Sequence, residues 1–203
     1  MSDLQICKTC GVQHSSPSID ALKNECPICL DPRQYVPATG QAWLTLADLR
    51  SSNKHKNIFH PMDADQTSYA HLIAIRTEPQ VAIGQSAYLV RTPDGNVLWD
   101  CITYLDDETI EAIKGLGGLE AIVISHPHFY STNVEYNPLQ NCGDGRWAKA
   151  FNCPVYISAE DQEWRMRNDS VQICWTGQTL SILPNVTAVK VGGHFPGSSH
   201  LLL

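Results

Sequence analysis

One stretch constrains this chain more than any other. Residues 121–124 are a continuous apolar run, Ala-Ile-Val-Ile, and the run is closed at once by Ser125, His126, Pro127 and His128. A short uninterrupted apolar run between polar flanks is the pattern of a strand buried on both faces, which belongs in the middle of a sheet rather than at its edge. Such a strand ends where an α/β sheet exposes its reactive groups. Here that end carries two imidazoles at i and i+2, which extended backbone would point the same way, with Pro127 stiffening the link between them.

The surrounding pattern predicts a layered α/β fold. Residues 71–77, 80–84, 86–92 and 96–100 read as short β-type runs of one meander, with a turn at Pro93-Asp94-Gly95-Asn96 where Pro fixes φ and Gly supplies the left-handed position. Ile110, Ile113 and Leu116 recur every three residues and predict a helix. Asp106, Asp107 and Glu108 load its first turn, and Gly117-Gly118 ends it. Residues 154–158 and 159–167 repeat the order strand then helix, and 186–191 form a last strand before Gly192-Gly193-His194. Between residues 34 and 69 the only regular signal is a short helix over 44–50. Residues 51–57 read as a polar loop and 59–70 as irregular, with His60 and Asp63 its only chemical groups, His60 being read as a surface residue.

The N-terminus carries a second constellation. Cys7 and Cys10, then Cys26 and Cys29, form two C-x-x-C pairs, with residues 11–25 between them. That spacing fits a zinc ribbon or treble-clef knuckle, in which four thiolates complete a tetrahedron. The segment between the pairs holds Val12, Ile19 and Leu22 as its large apolar residues, so ligation rather than core burial would supply its folding free energy. His14 is read as solvated, because four cysteines already satisfy the ion. Cys101, Cys142, Cys153 and Cys174 are scattered singly and read as buried thiols.

Bulk properties narrow the function. The net charge is -7, which argues against a nucleic-acid binder, since phosphate neutralisation needs excess Lys and Arg. In the knuckle Lys8 and Lys23 are opposed by Asp20 and Glu25, so it is expected to hold structure or dock a protein partner. No stretch approaches the roughly 18 apolar residues of a membrane span. The opening residues lack a basic region followed by an apolar run, so a cytoplasmic location is expected, the nucleus being the other compartment considered.

His126 and His128 at one strand end and His194 at another are the minimum that holds a catalytic zinc with one open position. Taken with the meander, residues 96–101, the following helix and Gly193-His194-Phe195-Pro196-Gly197-Ser198, they resemble the metallo-β-lactamase superfamily over roughly residues 70–200. The resemblance implies an αββα sandwich with a zinc-dependent hydrolase site. It implies His126, His128 and His194 as metal ligands and Asp100 as the aspartate bracing the metal loops. The chain also departs from the family pattern. Tyr130 and Ser131 stand where the family has Asp and His, so one metal rather than two is expected. The chain stops at residues 198–203, where the family continues through further strands and a helix that supply another Asp and His, so the sandwich is expected to be incomplete there. His200 lies nearby but is wrongly spaced for a ligand.

The expected organisation is thus a knuckle over 1–34, a connecting segment over 35–69 and a metallo-β-lactamase-like domain over 70–203. The expected chemistry is mononuclear: zinc on three imidazoles lowers the pKa of its water to about 7 and yields hydroxide to attack an ester, thioester, lactone or amide of a small molecule. Tyr130 is the nearest candidate proton donor. The rival expectation is a degenerate metal-binding scaffold that works as a protein-interaction module. A nuclease of the same superfamily is disfavoured, because such enzymes clamp phosphate with two metals.

Overall fold

The computed structural model describes residues 4–30, 36–62, 71–134 and 147–203. Along the chain lie β1 (Ile6–Cys7), β2 (Trp43–Leu44), α1 (Leu46–Ser51), β3 (Lys56–Pro61), β4 (His71–Glu78), β5 (Ser86–Thr92) and β6 (Gly95–Trp99). There follow α2 (Asp107–Gly115), β7 (Ala121–Val123), α3 (Trp147–Phe151), β8 (Val155–Ser158), β9 (Gln172–Trp175), β10 (Thr179–Leu183), β11 (Val186–Lys190) and β12 (Ser199–Leu202).

The apolar run is β7, buried at all three positions. It occupies the interior of a seven-stranded sheet of order β3-β4-β5-β6-β7-β8-β9. Strands β3 to β6 pair antiparallel as a meander, and β6 to β9 pair parallel. The crossover from β6 to β7 runs through α2, capped by Asp106, whose carboxylate accepts from the Thr109 N–H. A three-stranded antiparallel sheet, β10-β11-β12, and the short β1-β2 pair complete the β structure.

Period-two alternation sorts the side chains into layers. From the large sheet, Leu89, Leu98, Ile122, Val155 and Ile157 enter one apolar cluster with Ile113 of α2 and Trp147 of α3. Their neighbours Val90, Val97, Val123 and Tyr156 enter a second cluster with Leu180, Val186, Ala188 and Leu201 of the small sheet. None of the three helices contributes to that second cluster, so among the described residues the layers run helix, sheet, sheet. This is the mixed α/β architecture expected, without a helix on the outer face of the small sheet among those residues.

The cysteine knuckle packs into the first cluster. Cys7, Cys10, Val12, Cys26, Ile28 and Cys29 are buried there together with Ile75, Leu89 and Ile102. The apolar contribution of the knuckle comes from Val12 together with the C-x-x-C turns themselves.

Several elements differ from expectation. Residues 80–84 turn rather than extend, with Ala82 and Gly84 at φ +54 and +79. The Thr9 carbonyl accepts from the Ile83 N–H at 3.1 Å, so the segment bends over the knuckle. The polar loop and the start of the irregular stretch instead supply β3, an edge strand whose pattern is blurred because none of its six positions is fully buried. His60 is exposed on that strand, and Asp63 lies outside the described residues. The expected helix after β8 is a 3-10 helix over Ala159–Trp164, with no side-chain cap from Ser158. No helix among the described residues is long and apolar enough to cross a membrane.

Candidate metal centre

His126 has extended backbone, but Pro127–Phe129 is a single 3-10 turn, so strand alternation is not what aligns the imidazoles. Pro127 opens that turn at the position where its missing N–H costs nothing, and the turn swings His128 back beside His126. The ring centroids lie 5.5 Å apart. His194 reaches the same place from the loop before β12. That loop is tied to the end of β7 by the Ser199 N–H donating to the Ser125 carbonyl at 3.0 Å.

The three imidazoles converge. One ligand atom from each lies within 4.8 Å of the others, and His194 Nε2 is 2.9 Å from His128 Nδ1. His128 is buried, while His126 and His194 are partly exposed, so the cluster sits at the mouth of the fold. Burial, reinforced by His128 and His194, pushes the His126 imidazole down to about 4. It is therefore neutral near pH 7, the form that ligates metal.

Asp100 stands behind this ring. It follows β6 at φ +67, a left-handed turn that a short polar side chain tolerates. Its carboxylate accepts the Ser125 N–H at 2.7 Å and the Ser125 hydroxyl at 2.9 Å. Ser125 Oγ is also 2.9 Å from His126 Nδ1. The hydroxyl has one proton and gives it to the carboxylate, so its oxygen accepts from His126 Nδ1–H and leaves Nε2 as the ligand atom. Asp100 is fully enclosed, and burial pushes its carboxyl up to about 7 against the two Ser125 hydrogen bonds. It thus acts on His126 through Ser125 rather than touching the reacting atoms. Ser125 was missed in the sequence, although its place between an apolar strand and the first histidine was the available signal.

Tyr130, the expected proton donor, has its hydroxyl engaged by a backbone carbonyl. Its side chain is buried in the main cluster, its hydroxyl donates to the Asp161 carbonyl at 2.8 Å, and burial raises the phenol well above its usual range. Ser131 is wholly buried at φ +48, and its carbonyl accepts from the Gln13 N–H and from Arg167 Nη2. The two residues that stand where the resemblance implied Asp and His are thus both buried and tied by hydrogen bonds to other segments. His200 lies on β12 and is exposed.

A second unforeseen residue holds the other loop. Asp161 Oδ1 accepts the Gly197 N–H at 2.8 Å, three residues after His194. A Cβ at Gly197 would lie 2.1 Å from Ser158 Oγ and 2.8 Å from Asp161 Cγ, so only glycine admits this approach. Beside His126 and His194 a cleft of about 610 Å³ opens between the sheets, walled by Tyr88, Val90, Trp99 and Leu201.

The cysteines form a separate centre. Cys7 and Cys29 Sγ are 3.6 Å apart, and Cys10 and Cys26 Sγ 3.7 Å. Tetrahedral ligation at Zn–S of about 2.3 Å requires S···S of about 3.8 Å, so the donor set fits. The Thr9 and Cys10 N–H groups and Gln41 Nε2 donate to Cys7 Sγ, as they would to a thiolate. Hydrogen bonding from Cys10, Cys29, Cys7 and His14 draws the Cys26 thiol well below its usual range. Negative charge buried in this way needs a cation. His14 is buried, not solvated: it packs edge-on to Trp43 at 4.9 Å beside Cys26. Of the single cysteines, Cys101 and Cys153 are buried, Cys174 is half-exposed, and Cys142 lies outside the described residues.

No family model matches the chain. An uncharacterized protein of Bacillus subtilis (strain 168), YmaE, is 44% identical over 196 residues, covering 97% of this chain. The chain spans 65% of that relative's length. Among solved structures, metallo-β-lactamase SMB-1 aligns with 73% of this chain and 57% of its own at 14% identity and a TM-score of 0.43. VMB-1 aligns with 71% and 65% at 15% identity and 0.48. An N-acyl homoserine lactone hydrolase aligns with 72% and 69% at 17% identity and 0.40. These likenesses are distant, and the chemistry assigned to the site rests on its own side chains. The solved structures to which the chain is similar include a metallo-β-lactamase and an N-acyl homoserine lactone hydrolase, and the chain itself carries a four-cysteine and a three-histidine cluster suited to metal.

Proposed function

We propose that the chain is a zinc-dependent hydrolase with a mononuclear site on His126, His128 and His194, acting on an ester, thioester, lactone or amide. The observation that carries this reading is the convergence of three ligand atoms within 4.8 Å from two loops far apart in sequence. A zinc ion held there would activate water near neutral pH and polarise a carbonyl oxygen. The chain's residues do the rest. Ser125, backed by Asp100, fixes the His126 tautomer. Asp161 and Gly197 hold the loop of His194. The apolar walls of the adjoining cleft suit the non-reacting part of a small-molecule substrate and exclude water from it. The cysteine centre would hold a second, structural zinc.

The test combines metal analysis with turnover. The purified chain is expected to bind two equivalents of zinc, His126→Ala with His194→Ala to bind one, and His128→Ala to abolish hydrolysis of any ester or lactone in a broad panel. One equivalent in the parent chain, unchanged by the double substitution, would remove the catalytic site. The second reading, a metal-binding scaffold without catalysis, is favoured by the commitment of Tyr130 to the Asp161 carbonyl, which leaves that hydroxyl no free role in proton transfer. Two equivalents of zinc with no turnover across the panel would establish it, the cysteine knuckle then being the element that meets a protein partner.

A further inference from the structure

One side chain reaches a residue of each cluster. Gln85 Nε2 donates to the Cys10 carbonyl and, at 3.1 Å, to the His128 carbonyl. One primary amide thus satisfies the backbone of a ligand residue from each cluster, using both of its N–H donors. Further ties follow along the same two strands of chain. Thr103 Oγ1 donates to the Gly11 carbonyl at 3.0 Å. The Gln13 N–H donates to the Ser131 carbonyl at 3.0 Å. Arg167 closes the row, donating from Nε to the Gln13 carbonyl and from Nη2 to that of Ser131. Residues 10–13 of the knuckle therefore run against residues 128–131 of the histidine turn. Gly11 is what lets Thr103 approach the knuckle: at φ +75, a Cβ there would lie 2.1 Å from Thr103 Oγ1.

We propose that Gln85 is a positioning residue that holds His128 in register with Cys10, so that the filled four-cysteine centre braces the three-histidine centre. This rests on the reading of His126, His128 and His194 as a metal site. A 3-10 turn of three residues has few hydrogen bonds of its own, and the His128 carbonyl takes one from Gln85. Orientation of a ligand by the groups behind it is worth about 10- to 100-fold in metal affinity. Coupling between two centres is reciprocal, so an ion on the cysteines raises the affinity of the histidines through the same contacts.

The experiment titrates cobalt(II) into the metal-free chain, following thiolate charge-transfer bands for the cysteine centre and ligand-field bands for the histidine centre. Gln85→Met keeps length and removes both donors. It is expected to weaken the histidine centre about 10-fold or more while the cysteine bands still fill at one equivalent. Gln85→Lys, whose ammonium can donate to both carbonyls, is expected to restore most of the loss. A histidine-centre affinity within about twofold of the parent in Gln85→Met would overturn the proposal, as would equal weakening of both centres with a lowered melting temperature. A parent chain that binds one cobalt only would overturn the metal reading of the histidines and this inference with it. Unchanged affinity in Gln85→Met would overturn this inference alone.

Discussion

At the scale of single residues, the site is made by groups that never reach the ion. Asp100, Ser125 and His126 form a chain in which each proton has one place to go. Removing the middle member tests that chain with the smallest change. Ser125→Ala takes away the acceptor for His126 Nδ1–H and one of the two hydrogen bonds to the buried Asp100 carboxylate. The expected result is a loss of about 10- to 100-fold in zinc affinity at the histidine centre, read by competition against a chromophoric chelator, with the cysteine centre unaffected. An affinity equal to that of the parent would show that the ring is held by packing against Phe129 and Phe195 instead.

At the scale of elements, the loop before β12 depends on the 3-10 helix after β8. Asp161 is 1% exposed, and burial lifts its carboxyl to about 6 even though the Gly197 N–H donates to it. The folded state therefore holds this proton more tightly than the unfolded chain does, and raising the pH from about 4 to about 6 disfavours folding through this group. Asp161→Asn cannot titrate. The difference in unfolding free energy between variant and parent is expected to move in the variant's favour by about 1–3 kcal/mol between pH 4 and pH 7, measured by urea titration. A difference that stays constant with pH would mean that the carboxyl is not shielded. The same comparison of elements shows what could be read from the chain and what could not. The central strand β7, helix α2 with its acidic start, and both C-x-x-C turns carried local signals: a continuous apolar run, a three-residue period, a fixed thiol spacing. The bend at residues 80–84 had β-type composition and was settled by the knuckle beneath it, a contact far away in sequence. The three imidazoles were found because ligand types at strand ends are visible locally. Gln85 and Asp161 were not, because an amide or carboxylate that works through a distant backbone group leaves no periodicity and no motif.

At the scale of the whole molecule, the knuckle and the sheet share one apolar cluster, with Cys10 and Cys26 buried against the same layer as Leu98 and Ile122. Structural zinc contributes on the order of 10 kcal/mol in small domains, comparable to the entire net stability of a folded chain. Stripping metal from the cysteines is therefore expected to abolish the cooperative melting of the whole protein rather than loosen one end of it, as followed by calorimetry before and after a strong chelator. A cooperative transition surviving in the metal-free chain would show that the sheet stands without its knuckle.

The separation of the two ligand sets along the chain has a consequence for biogenesis. His194 follows Cys29 by roughly 165 residues. At about 5–20 residues per second, a ribosome exposes all four thiols some 10–30 seconds before the last imidazole emerges. On the proposed two-zinc reading, the four thiols are ready for an ion while the second binding pocket does not yet exist, so the order of filling would follow the direction of translation.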